Sequence, residues 1–167
     1  MADPRELQTR EQREVDALLA GVPREPEHLL PALQLVQARL GYVPEEAIRT
    51  IAEAFNRSRA EVYGVVTFYH DLRLAPVGDT VVQVCMAEAC QAMGCRALAE
   101  HAHRHLGVAL GHTTSDGRVH LEATYCLGNC ALAPSIRIGD VVHGRVTSPR
   151  FDALVATARS ATRERTP

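Results

Sequence analysis

Two regimes of apolar spacing succeed one another along the chain. Leu29, Leu30, Leu33, Val36 and Leu40 fall on one face at the period of an α-helix, and Gly41 follows as a terminator. Pro44 then stands where a first helical turn tolerates proline, with Glu45 and Glu46 at the positive end of the helix dipole. Ile48, Ile51, Ala52 and Phe55 supply that helix with a buried face. Ser58, followed three residues later by Glu61, forms a capping box, and Val62, Val65, Val66 and Tyr69 mark the buried stripe of the next helix. Upstream, a charged segment around Arg5 to Leu19 reads as a helix with few apolar positions to dock. These patterns predict a small helical bundle over residues 1–73.

Proline and glycine in Leu74-Ala-Pro-Val-Gly-Asp79 end the helical pattern and mark a linker. Beyond it, β-branched Thr80 to Val84 read as a strand that runs directly into Cys85. Cys95, Leu98, Ala99, Ala102 and Leu106 form one helical face, closed by Gly107. After an Asp116-Gly117 turn, Val119, Leu121, Ala123 and Tyr125 alternate with His120, Glu122 and Thr124, the pattern of a half-buried strand. Ser135 to Ile138 and Val141 to Arg145 make a hairpin around Gly139-Asp140. Last, Ser148 caps a helix with Pro149 in its first turn, burying Phe151, Leu154 and Val155. The order β-α-β-β-β-α, with a parallel crossover first and a hairpin last, predicts an α/β domain of thioredoxin-like form over residues 79–167.

Composition narrows the classes open to such a chain. With 167 residues, 46% hydrophobic and 23% charged, it has material for one domain or two small ones. A net charge of −2 argues against a nucleic-acid surface. No apolar run approaches the length that crosses a bilayer, so the chain is expected not to span a membrane. The opening Met-Ala-Asp-Pro-Arg-Glu has no signal-peptide character, which points to the reducing cytoplasm.

Against that background the cysteines carry the chemistry. Cys85-Met-Ala-Glu-Ala-Cys90 and Cys126-Leu-Gly-Asn-Cys130 each follow a predicted strand, so two strand-end loops offer four thiolates to one metal centre. Four cysteine sulfurs are the usual shell of a 2Fe-2S cluster and equally of a closed structural zinc site. Zinc knuckles favour short spacings, whereas four residues separate the first pair and three the second, which leans toward iron and sulfur. Five cysteines cannot all pair as disulfides, and neither a thioredoxin-type redox pair nor a c-type haem attachment sequence occurs. Cys95 lies on the apolar face of its helix and is expected to pack as a small hydrophobe outside the ligand set.

Together these residues resemble the thioredoxin-like 2Fe-2S subunits of NADH dehydrogenases and related soluble NAD-dependent dehydrogenases. Cys85-x4-Cys90 with Cys126-Leu-Gly-x-Cys130-x3-Pro134 is similar to that family's cluster motif. Gly41-Tyr-Val-Pro44 and Val66-Thr-Phe-Tyr69 are similar to its helical signature. Within the family, Gly64-Val-Val-Thr-Phe-Tyr-His-Asp71 and Ala89-Cys-Gln-Ala-Met-Gly94 most resemble the gamma subunit of the molybdenum-containing, NAD-dependent formate dehydrogenase. The resemblance implies one 2Fe-2S cluster on Cys85, Cys90, Cys126 and Cys130, with backbone amides near Gly94 and Gly128 donating to sulfur. It implies that FMN and NAD bind a flavoprotein partner and that a molybdenum cofactor sits on a larger catalytic subunit. The chain itself has no G-x-G-x-x-G turn, P-loop or nucleophile elbow, so it is expected to carry electrons within an oxidoreductase complex, with no complete active site of its own.

Other features admit different readings. His101, His103 and His105 resemble a metal cluster, but on a helix only His101 and His105 share a face, and solvent-facing histidines are the expectation. Thr67-Phe68-Tyr69 could contact a partner, although Tyr69 fits the buried stripe. The capped helices could belong to a helix-turn-helix, making the chain a metal-sensing DNA regulator, but it lacks a basic recognition face. A zinc-stabilised scaffold is the remaining alternative, and colour separates it from an iron-sulfur protein.

Overall fold

The computed structural model describes residues 4–163, with side chains described over 11–161. It divides into two compact units between Pro76 and Val77.

The first unit contains α1 (Pro4–Leu19), α2 (Leu29–Leu40), α3 (Glu45–Ala54) and α4 (Arg59–Phe68). Its core gathers Leu33, Val36, Ile48, Ile51, Phe55, Val62 and Val66. Among its described side chains, α1 buries Val15 and Leu19. Polar contacts complete the seam: Gln12 donates to Thr50 at 2.5 Å and Tyr42 to Glu11 at 2.8 Å. Gly41 terminates α2 in the left-handed conformation with φ +84°, its amide bound to the Gln37 carbonyl at 2.7 Å. The Gln37 side chain donates to the Asp71 carbonyl and accepts from the Arg73 amide, tying the segment after α4 back to α2.

Two expectations shift here. Pro44 is the N-cap of α3 rather than a residue of its first turn, because its ψ of 144° is extended. Tyr69 is not part of the buried stripe: α4 ends at Phe68, the backbone becomes extended at Tyr69, and the helical register that would bury its ring is lost. Phe68 is 72% exposed and Tyr69 42%, their rings meeting edge to face at 5.2 Å. Leu72 closes the core instead.

The Ser58 capping box forms as expected. The Glu61 amide donates to Ser58 Oγ at 3.2 Å, and the Ser58 amide to the Glu61 carboxylate at 2.8 Å. Ser58→Ala is expected to lower stability by about 1 kcal/mol, the usual cost of a lost N-cap, as a reduced midpoint in urea unfolding with unchanged slope.

The second unit contains β1 (Thr80–Cys85), α5 (Glu88–Ala92), α6 (Cys95–Leu106), β2 (His112–Thr113), β3 (Val119–Thr124), β4 (Ile136–Ile138), β5 (Val141–His143) and α7 (Ser148–Arg163). The sheet order is β2-β3-β1-β4-β5. Only β1 and β3 are parallel, joined by the α6 crossover, while β4 and β5 form the two-residue hairpin with Ile138 opposite Val141. Val82 and Val84 of β1, Leu121 of β3 and Ile136 of β4 pack with Leu98 and Ala102 of α6 and with Phe151 and Val155 of α7.

The predicted α/β order holds, with additions and corrections. α5 and β2, five and two residues long, are too short to leave a periodic signal. β3 is not cleanly half-buried: flanked by β1 and β2, it buries His120, whose Nδ1 pairs with Thr113 Oγ1 at 2.9 Å. β3 also ends at Thr124, leaving Tyr125 79% exposed. Ser148 is the first residue of α7 rather than its cap, and the preceding Thr147 carbonyl accepts from the Phe151 amide at 2.8 Å.

Candidate metal centre

Parallel pairing is what brings the two cysteine loops together. Cys85, the last residue of β1, stands opposite Thr124, the last of β3, so both strands release their following loops at the same edge of the sheet. The Met86 amide, bound to the Thr124 carbonyl at 2.7 Å, extends the ladder one step further. Cys126 follows two residues after β3 and holds a φ of +118°, a bend that side-chain-bearing residues rarely adopt. Cys90 lies in α5, and Cys130 begins a 3-10 turn that runs to Leu132.

The four sulfurs differ in surroundings. Cys85 and Cys90 are buried, whereas Cys126 and Cys130 are exposed, so the site has one wall inside the domain and one open to solvent. Burial works to raise the Cys85 thiol, but amides of Ala87, Leu127 and Cys126 and the Cys90 thiol all donate to it, and together they hold it below the usual cysteine value. Amides from both loops thus converge on a single sulfur. Cys90 is pushed up to about 11, first by burial and then by donating its proton toward Cys85, with the Ser135 amide acting in the opposite direction. The Gly128 amide donates to Cys126 Sγ at 3.3 Å, as expected, but the Gly94 amide does not reach sulfur; it is taken up by the Gln91 carbonyl at 3.1 Å.

Cys95 is fully buried at the start of α6, as its register requires. It packs with Cys85, Cys90 and Ala133 instead of with the main core around Leu98, and its Sγ meets the Met86 sulfur at 3.8 Å. Burial, followed by the charge of Cys85, raises its thiol.

Positioning residues that sequence reasoning missed surround the second loop. Ser135, buried beside Pro134, gives its carbonyl to the Cys85 amide at 3.0 Å, and its hydroxyl accepts from the Asn129 side chain at 3.1 Å. The Leu132 carbonyl accepts from the Arg145 amide at 2.5 Å. Gly144 allows that approach, since a Cβ there would collide with Leu132 Cβ and lie 2.8 Å from the Leu132 carbonyl oxygen. No spacing rule marks these residues, because each acts through a fold-dependent contact.

The donor set suits a binuclear iron-sulfur group better than one zinc ion. Tetrahedral zinc with bonds of about 2.3 Å would hold all four sulfurs roughly 3.8 Å apart. Among the described residues, however, only His101, His105 and Asp152 bring three ligand atoms within 4.8 Å of one another. Two thiolate pairs on separate loops, with amides already directed at sulfur, fit a centre with two metals.

An α/β domain with paired cysteines at the carboxyl edge of a parallel strand pair defines a thioredoxin-like iron-sulfur protein. The sequence model of the thioredoxin-like [2Fe-2S] ferredoxin family matches residues 15–159, and the chain belongs to that family. It is 34% identical over 150 residues to an NADH-quinone oxidoreductase subunit of Rhizobium meliloti (strain 1021), covering 90% of this chain and 89% of the relative. It is 33% identical over 144 residues to the NADP-reducing hydrogenase subunit HndA of Solidesulfovibrio fructosivorans, covering 86% and 84%. Among solved structures, an NAD+-reducing [NiFe]-hydrogenase in the H2-reduced state superposes with a TM-score of 0.71 at 25% identity, over 83% of this chain and 23% of that one. No described helix is long and apolar enough to cross a membrane.

Proposed function

We propose that Cys85, Cys90, Cys126 and Cys130 hold one 2Fe-2S cluster and that the chain is a cytoplasmic electron-transfer subunit of an NAD-linked dehydrogenase complex. The observation that carries this reading is the convergence of amides from both cysteine loops on Cys85, with Cys126 and Cys130 left on the solvent side. When bound, a 2Fe-2S group exchanges one electron at a time. The residues of this chain supply the rest: four thiolates as ligands, amides of Ala87, Leu127 and Gly128 that stabilise negative charge on sulfur, and a buried wall that limits water access. The exposed Cys126 and Cys130 side, rimmed by Tyr125, faces outward for exchange with a partner.

That partner is a flavoprotein binding FMN and NAD. Nicotinamide exchanges a hydride, so a two-electron flavin must stand between it and a one-electron centre, and the chain has no nucleotide loop to hold one. The helical unit serves as a docking element, presenting Phe68 and Tyr69 to solvent. We assign the complex as a formate dehydrogenase with a molybdenum cofactor on its larger catalytic subunit, on the stretches Gly64 to Asp71 and Ala89 to Gly94. A hydrogenase or an NADH:quinone oxidoreductase is the second reading, favoured by the names of the relatives.

Phe68→Asp in the full chain is expected to weaken co-purification with the flavoprotein at least about tenfold while leaving iron content unchanged, since an exposed aromatic anchor is lost without disturbing the core. Equal recovery of the complex would refute the docking role. Bleaching of visible absorbance by formate in the assembled complex, set against hydrogen, decides the substrate, with NADH, which should bleach it through the flavoprotein in every case, as the positive control.

A further inference from the structure

The histidines of α6 do not simply face solvent. We propose that His101, His105 and Asp152 form a second metal site, separate from the cysteines, for a divalent ion of the zinc class bridging α6 and α7. His101 and His105 are one helical turn apart, the spacing at which two imidazoles on one helix bind one ion. Asp152 comes from the facing helix. Its Oδ1 lies 2.6 Å from His101 Nε2 and 3.2 Å from His105 Nδ1, and all three ligand atoms fall within 4.8 Å of one another.

The arrangement is preorganised. The two imidazoles stack at 5.9 Å with 21° between their planes, and both meet the fully buried Phe151 edge-on, at 6.1 and 6.2 Å. Packing against a core ring thus orients both ligands. In tetrahedral zinc, ligand atoms with bonds of 2.0–2.1 Å stand about 3.3 Å apart, so His105 and Asp152 already have the separation and the His101–Asp152 pair must open by about 0.7 Å. Two neutral imidazoles and one carboxylate give the donor set that suits borderline divalent ions. Side-chain exposures of 23, 36 and 37% for His101, His105 and Asp152 leave the rim accessible for water to complete the shell. His103 is excluded from the group, its Nδ1 turned to the Val108 carbonyl at 2.8 Å. His101 follows Cys95 by six positions, about 9 Å along the helix, so the site stands apart from the thiolates.

In the absence of an ion, Asp152 Oδ1 is hydrogen-bonded to His101 Nε2 and stands 3.2 Å from His105 Nδ1; when an ion binds, each neutral ring carries its proton on the nitrogen turned away from it, and the ion staples α6 to α7. The test is equilibrium dialysis of the full chain against zinc, with zinc and iron measured by atomic emission in wild type, His101→Ala, Asp152→Asn and His103→Ala. Every variant keeps all the cysteines, so zinc held by thiolates is common to all four and cancels in the comparison. Wild type and His103→Ala are expected to bind one zinc more per chain than the other two, whose affinity falls by more than the 10- to 100-fold typical of a lost outer-shell partner. Zinc should raise the melting temperature of the first pair by more than that of the second, the thiolate contribution being common to all four. Asp152→Asn preserves side-chain shape, so it carries the comparison even if His101→Ala fails to fold. Equal zinc content and equal melting shifts across wild type, His103→Ala and Asp152→Asn would overturn the proposal and leave the trio as a hydrogen-bonded link between two helices.

Discussion

Serine at Cys85 is expected to abolish cluster binding altogether. Cys85 is the sulfur on which the Ala87, Leu127 and Cys126 amides and the Cys90 thiol converge, so in the proposed ligand set its thiolate would both ligate and hold the two loops in register. A serine hydroxyl is a harder ligand with a far higher pKa, and the amides directed at it would not produce an alkoxide. Single serine replacements at Cys90, Cys126 and Cys130 should also lose iron and acid-labile sulfide. Cys95→Ser should retain both while losing about 1 to 3 kcal/mol of stability, because a hydroxyl buried beside the Met86 thioether finds no strong partner. Iron and sulfide counts with visible absorbance check the series. Normal cluster content in any of the four ligand variants, or a colourless Cys95→Ser protein, would overturn the assignment.

Gly144→Ala should damage the centre from outside it. An added Cβ would collide with Leu132 Cβ and lie 2.7 Å from Asn129 Nδ2 and 2.8 Å from the Leu132 oxygen, and the last of these is backbone that no rotamer change relieves. The turn from Cys130 to Leu132 must therefore shift, straining the Arg145 to Leu132 hydrogen bond and the Asn129 to Ser135 contact. Overpacking of this kind costs about 1 to 3 kcal/mol. The measurable results are a lower urea midpoint and faster cluster loss under air than in wild type. An alanine variant with wild-type stability and cluster lifetime would show that the turn yields freely.

The bundle illustrates how local and non-local information divide. The Ser58 and Glu61 box and the Gly41 terminator follow from interactions three or four residues long, and both occupy their expected places. Tyr69 fails for a related reason: helical periodicity describes burial only while the helix continues, and nothing local announced that α4 would stop one residue earlier. His120 shows the same limit in a strand. Alternation places it outward, but β2, two residues long and invisible as a pattern, sets Thr113 beside it, and the Thr113 hydroxyl pairs with its ring.

At the centre, the sequence alone determined the cysteine pairs, their spacing and their placement after strands, because ligand type and chain spacing are properties of the covalent chain. Only the tertiary structure decided that Cys85 and Cys126 share one sheet edge, since that depends on parallel pairing of β1 with β3 across a crossover. The same holds for Ser135 and Gly144 beside the cysteine loops, and for Asp152 opposite His101 and His105. Contacts between residues far apart in the chain are selected by the packing of whole elements, which burial of the shared core settles and which no short window of sequence encodes.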